Sequence, residues 1–306
     1  MTTPFNQKDL TKTLKKAKRM TFLKIILLSL CMSVVILAVI FYGNRYWMGK
    51  MQTEVVREKM AEQAVMHEAN TFTQMQFEST GFLKGTITEE IYKVIEDKVI
   101  PWDTQTIHYT NKGFESTTFA SSTTTVNDTT TIQIPSGERA MQYYVPQYHY
   151  ETYANDLDHI THYPNDKYME MAISFDNSYS FEHVQKILPT SLHVTWYWVN
   201  NFTMKKQKRD VPELAGFLYG FSAPTNNTSI VAQTLLTNEE DPIDTPQRFL
   251  TALQAVSNED YDMLKKRQHK NLIAGVVVTG TKKDLAVLKN QPYVKASSLG
   301  AVVDKY

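Results

Sequence analysis

The chain has 306 residues, with 32 basic and 32 acidic side chains and a formal net charge of zero. That balance is uneven: residues 1–24 carry seven basic groups and one acid, which leaves the rest with 25 basic and 31 acidic groups. A mildly acidic main body excludes a broad nucleic-acid-binding surface, which needs clustered cations. The single cysteine, Cys31, excludes an intrachain disulfide.

Residues 8–21 read as a basic helix, with Leu10, Leu14 and Ala17 on one face and Lys15, Lys16, Lys18 and Arg19 around them. Lysines held against anionic lipid are the plainer reading, and a docking helix for a cytoplasmic partner is the functional one. Phe22 to Tyr42 follows, 21 residues with 14 Leu, Ile, Val or Phe and one charge, Lys24, at the edge. At about 1.5 Å per residue it spans roughly 30 Å, the thickness of a bilayer's hydrocarbon core. Ser29 and Ser33 can bond back to helix carbonyls. Lys24 can snorkel to the headgroups, and Tyr42, Tyr46 and Trp47 form an interfacial belt at the far end. The bulky, charged stretch Tyr42 to Trp47 argues against a cleaved signal peptide, and Leu30 before Cys31 argues against a lipoprotein signal. The excess of lysine and arginine before the span predicts a cytoplasmic N-terminus and an extracytoplasmic main body.

Beyond the span, residues 50–70 read as a helix prolonging it outward, without glycine or proline from Met51 on. Thr86-x-x-Glu89 has the form of a capping box and predicts a short helix from about Thr88 to Lys98, before Pro101. The threonine-rich stretch 104–135 predicts strands, with turns at Asn127-Asp128 and Pro135-Ser136-Gly137. Tyr143 to Tyr168 is aromatic and irregular.

The C-terminal part repeats one order. Tyr168 to Asp176 reads as a strand, Ser180 caps a helix that Pro189 stops, and Leu192 to Val199 reads as a strand. Leu272 to Gly280 is an apolar strand, Thr281-x-x-Asp284 caps a helix, and Tyr293 to Val303 closes as a strand. Two β-α-β units predict helices packed on a mixed sheet. Between them Thr245 and Pro246 start a helix with Phe249, Leu250, Leu253 and Val256 on one face, and the polar stretch Asn200 to Asn238 carries the basic cluster Lys205, Lys206, Lys208 and Arg209, most simply a solvated loop. The expected fold is α+β: one N-terminal transmembrane helix plus an extracytoplasmic mixed α/β domain.

No phosphate-binding glycine loop, Gly-x-Ser-x-Gly elbow or His-Glu-x-x-His is present. His159-Ile-Thr-His162, with Asp156, Asp158 and His149 nearby, is the best metal candidate, although loop histidines are ordinarily just polar surface. Trp196 and Trp198 share one strand face and Tyr197 the other, the pattern of core packing. No cofactor, metal or enzymatic activity is expected.

Three C-terminal stretches carry a family likeness: Glu170-Met-Ala-Ile-Ser-Phe-Asp176 with Ser180-Phe-Glu-His-Val-Gln-Lys186; Val194-Thr-Trp-Tyr-Trp-Val199; and Gly275-Val-Val-Val-Thr-Gly280 through Val294-Lys-Ala-Ser-Ser-Leu-Gly300. With Asp9-Leu-x-x-x-Leu-Lys-Lys-Ala-Lys-Arg19 before the span, the chain resembles the sigma-factor-regulator family, the membrane-bound anti-sigma factors of Gram-positive bacteria. The likeness covers about residues 8–100 and 158–303.

The resemblance implies a cytoplasmic basic tail (1–21), the span (22–42), a juxtamembrane helix (43–70), a strand-rich extracytoplasmic region (71–157) and a regulator-like C-terminal domain (158–306). It implies sequestration of an extracytoplasmic-function sigma factor, either by the tail directly or through a second membrane subunit. Many anti-sigma factors instead carry a folded cytoplasmic domain, often with a His-x-x-x-Cys-x-x-Cys zinc motif, and this tail contains no cysteine. The competing reading is an extracytoplasmic binding or scaffold module anchored by one helix. A surface enzyme using the His159 region is a third.

Overall fold

The apolar run sits inside a single helix, α1, from Gln7 to Gln63, 57 residues and about 85 Å long at 1.5 Å per residue. The computed structural model describes residues 7–77, 81–126, 129–223 and 243–306. The apolar window of α1 has none of its surface buried in the protein and is long enough to cross a membrane. Ser33 Oγ donates to the Ser29 carbonyl at 2.9 Å, which satisfies the hydroxyl inside the run. The helix ends at Gln63, short of Asn70; Met66 then forms a bridge to Tyr219, and the Gly220 amide donates to the Val65 carbonyl at 3.1 Å.

The outer half of α1 supports a four-stranded antiparallel sheet in the order β1 (Thr71–Phe77), β2 (Lys84–Ile95), β3 (Lys98–Thr110), β4 (Gly113–Phe119). Met48 and Val55 on the helix pack against Ile87, Ile107 and Tyr109 on the sheet. The helix expected over Thr88 to Lys98 is therefore wrong: Thr86 and Glu89 lie within β2. Gly85, Ile87 and Glu89 are buried in alternation, the period of a strand, and pairing on both sides of β2 overrides the local capping pattern. Pro101 is tolerated within β3 because a register shift falls there, with Tyr92 opposite Pro101 and Ile91 opposite Asp103. Two strands, β5 (Ser122–Val126) and β6 (Thr129–Gln133), form the hairpin expected of the threonine-rich stretch. Its turn at Asn127-Asp128 lies outside the described residues.

Short strands β7 (Gln142–Tyr143) and β8 (Tyr148–Tyr150) lead through a 3-10 turn (Asp156–His162) to β9 (Lys167–Tyr179). Helix α2 (Phe181–Ile187) follows, its first turn capped by Ser180, which accepts from the His183 amide at 3.2 Å. Then come β10 (His193–Val199), β11 (Gln207–Arg209), β12 (Glu213–Leu214) and β13 (Gly220–Ser222). Helix α3 (Pro246–Val256) starts at Thr245 and Pro246 as expected. A second helix, α4 (Asn258–Arg267), capped by Ser257, has no counterpart in the sequence reading; only Leu264 of it is buried, so it lacks a strong apolar stripe. Strand β14 (Ile273–Gly280), helix α5 (Lys282–Leu285) and β15 (Val294–Asp304) complete the chain.

The main sheet has the order β13-β10-β14-β9-β15 and is antiparallel throughout, not mixed. Each β-α-β unit is split: β14 lies between β9 and β10, and β9 lies between β14 and β15. A crossover helix leaves the gap, and a strand of the other unit fills it, the ferredoxin-like arrangement.

Both faces of this sheet are buried. On one, Met171, Ile173, Tyr197 and Val276 meet Val184, Phe249, Leu253, Leu264 and Leu285 of the helices. On the other, Trp196, Trp198, Ala172 and Val277 meet Met141, Tyr143, Tyr144, Val145, Tyr148 and Tyr150. The aromatic segment thus acts as a second layer. Lys295 pins it, its Nζ donating to the carbonyls of Val145, Pro146 and Tyr148 at 3.0, 2.8 and 2.6 Å. The fold is α+β.

Gly275 sits where β14 crosses the sheet centre. A Cβ there would collide with the Ile173 carbonyl of the neighbouring strand, a backbone atom that cannot swing away. Gly275→Ala is expected to cost about 1–3 kcal/mol through overpacking, measured by denaturant unfolding of the full chain in detergent; unchanged stability would contradict this packing.

Candidate functional site

Three places carry the chemistry of the chain. The first is the basic tail. Leu10, Leu14, Lys15, Lys16, Lys18 and Arg19 are all exposed along α1, and the two leucines lie one turn apart with no apolar cover. The second is the membrane end of the helix, where Lys24, Tyr42, Tyr46 and Trp47 are exposed. Lys50 Nζ lies 4.8 Å from the Tyr46 ring centroid, and Trp47 Nε1 donates to the Asn111 carbonyl at 3.3 Å.

The third is a buried charge cluster that sequence reasoning missed. It gathers side chains from both halves of the region that follows α1. Lys93 of β2 is fully buried and points at Glu170 of β9, Nζ to Oε2 2.7 Å, and at Glu68 beyond the end of α1, 2.9 Å. Its ammonium lies 4.2 Å from the Trp102 ring centroid. Trp102 Nε1 donates to Glu68 Oε2 at 2.8 Å, Asn70 Nδ2 donates to Glu170 Oε1 at 2.8 Å, and the Ala301 amide donates to Glu170 Oε2 at 3.3 Å. Gly300 lets β15 pass over the carboxylate, since a Cβ there would sit 2.5 Å from Glu170 Oε2.

Two carboxylates share one cation. Burial lowers the Lys93 ammonium, but the charges of Glu170 and Glu68 outweigh it and hold it above its ordinary value. Burial pushes the Glu170 carboxyl up; Lys93 and Asn70 pull it down, the Glu68 charge adds to the rise, and the result is upward. The signal for this cluster was present in the sequence as a carboxylate inside an apolar alternation, Met169-Glu170-Met171, and a lysine beside Val94 and Ile95.

A second contact joins the same halves. Glu96, in the β2–β3 turn with a φ of 57°, accepts from Thr279 Oγ1 at 2.6 Å and pairs with His193 Nδ1 at 2.9 Å. Burial raises this carboxyl, but the His193 and Thr279 hydrogen bonds prevail over it and over the Asp284 charge, so it stays below its ordinary value.

His159 and His162 stack with ring centroids 5.8 Å apart on the 3-10 turn. No group of three or more His, Cys, Asp or Glu able to hold a metal occurs among the described residues. The basic cluster expected in a loop is partly strand: Lys205, Lys206, Lys208 and Arg209 are exposed, but Lys208 and Arg209 lie in β11, which pairs with β8, and Lys208 pairs with Glu151 at 2.7 Å.

Removing the buried cation should be severe. Lys93→Met leaves Glu170 buried without its counter-charge and is expected to cost about 3–5 kcal/mol, with part of the loss regained when Glu170→Leu is added. Denaturant unfolding read by tryptophan fluorescence checks both; a small effect of Lys93→Met would contradict the cluster. Glu96 gives a pH signature. A carboxyl held low in the folded state contributes stability above its unfolded value, about 4.3, that is lost as pH falls through the folded value. Glu96→Gln is therefore expected to flatten the loss of thermal stability below about pH 4, and an unchanged pH slope would contradict the pairing.

The comparisons with known proteins agree with this two-part construction. The family description Sigma factor regulator N-terminal matches residues 11–100, and Sigma factor regulator C-terminal matches residues 160–301. Glu68 and Lys93 fall in the first match, and Glu170 and Gly300 in the second. No curated protein and no solved structure matches the chain. Since the two descriptions together span most of its length, the chain belongs to the sigma factor regulator family.

Proposed function

We propose that the chain is a membrane-anchored anti-sigma factor whose tail holds an extracytoplasmic-function sigma factor at the cytoplasmic face while the outer region responds to a signal beyond the membrane. The observation that carries this reading is the continuity of α1. One helix runs from the basic tail through the apolar span to Gln63, where its outer part is clamped by Met48 and Val55 against the four-stranded sheet. Five residues on, Glu68 enters the buried charge cluster. A rearrangement of the outer region is thereby linked to the tail through a stiff rod.

The excess of lysine and arginine before the span supports a cytoplasmic tail. Leu10 and Leu14, ringed by Lys15, Lys16, Lys18 and Arg19, give an amphipathic face that fits a groove on an acidic partner. Sequestration is a binding equilibrium: a ligand that favours one outer arrangement shifts the tail only by its difference in affinity for the two. A second membrane subunit would add surface to the same tail.

Deleting residues 2–19 while leaving the span intact is expected to release the sigma factor and raise transcription of its regulon. Transcript profiling checks this. An unchanged profile, with the truncated chain present in the membrane at normal levels, would favour the anchored scaffold instead.

A further inference from the structure

We propose that the tip of the four-stranded sheet is a second membrane contact, with Phe82 and Leu83 lying in the lipid headgroup layer beside the helix. This rests on reading residues 22–42 as the membrane span. The geometry ties the tip to the end of that span. The Leu83 amide donates to Asn44 Oδ1 at 2.8 Å, and Asn44 Nδ2 donates to the Gly81 carbonyl at 3.1 Å. The Asn111 amide donates to the Leu83 carbonyl at 3.1 Å, and Trp47 Nε1 donates to the Asn111 carbonyl. Gly81 and Leu83, just before β2, and Asn111, between β3 and β4, are thus held at the level of Asn44 to Trp47.

Asn44 follows the last residue of the apolar run, Tyr42, by two positions, about 3 Å along the axis. The headgroup layer on each side of the hydrocarbon is roughly 5–7 Å deep. A loop bonded to Asn44 cannot avoid it. The side chains at the tip match that environment. Phe82 is 66 % exposed and Leu83 39 %, at the level of exposed Trp47, which extends the aromatic belt sideways from the helix onto the sheet. Exposed Arg45 follows Asn44, Lys84 follows Leu83 and Lys112 follows Asn111, so cations able to meet lipid phosphates sit at the same level. Leu83 holds a φ of 56°, an unfavourable backbone for leucine, in order to present this tip.

Two contacts with one bilayer would fix the rotation of the outer region about the helix axis, which a lone span cannot do. The test uses the full chain carrying Cys31→Ser in nanodiscs of phosphatidylcholine and phosphatidylglycerol. Single cysteines at Val34→Cys, Phe82→Cys or Phe119→Cys are labelled with an environment-sensitive fluorophore. Phe119 is an exposed phenylalanine on the same sheet, six residues beyond Gly113 and about 20 Å along the strand from the tip.

Quenchers attached to shallow lipid positions are expected to remove most of the fluorescence at Phe82 and little at Phe119, while deep quenchers act at Val34. Quenching at Val34 with none at Phe82 would overturn the second contact and leave the span intact. Absence of quenching at Val34 would overturn the span reading, and the proposal with it. Equal quenching at Phe82 and Phe119 would overturn the proposed geometry.

Discussion

The arrangement of the outer region depends on a lysine buried between two carboxylates. Lys93 lies where the segment after α1, the four-stranded sheet and the main sheet meet. Taking an ammonium and two carboxylates out of water costs several kcal/mol per ion, so the cluster is poor as a source of stability. Its effect is on specificity. Glu170 can be satisfied only with Lys93, Asn70 and the Ala301 amide in place, and Glu68 is further held by Trp102. A docking of the two halves in any other register would strand buried charge.

This constraint explains how two regions with separate cores act as one body. The sheet on α1 has its own cluster around Met48, Val55 and Ile107, and the main sheet has cores on both faces. Between them lies a further apolar cluster of Ile95, Trp102, Ile134, Ala301 and Val303, with Ile91, Ile100, Ala140 and Tyr168 packed against it. The polar links of Lys93 and Glu96 join the two regions alongside this cluster.

Much of this was legible in the sequence, for identifiable reasons. The long apolar helix could be read because 14 aliphatic or phenylalanine residues fall within 21 without glycine or proline. The elements of the two β-α-β units could be read because Ser180 and Thr281 cap their helices and Trp196, Tyr197 and Trp198 alternate between faces, as the two core clusters show; their interleaving into one antiparallel sheet could not, since strand order is set by long-range pairing. The hairpin at Thr86 to Pro101 was misread, because a capping box is a local pattern and the pairing of β2 with two neighbours is not. Helix α4 was missed because it buries only Leu264. The charge cluster escaped because its members are separated by 77 residues between Lys93 and Glu170, and only the fold brings them within 2.7 Å.

The central claim is that the tail retains a sigma factor at the membrane. The most direct measurement is recovery of the full chain from native membranes, wild type against Leu10→Ala, Leu14→Ala, Lys15→Ala, Lys16→Ala combined, with quantification of any sigma factor that accompanies it. The account expects one sigma factor with the wild type and its loss from the variant at equal membrane abundance. A sigma factor held equally by both, or by neither, would contradict it.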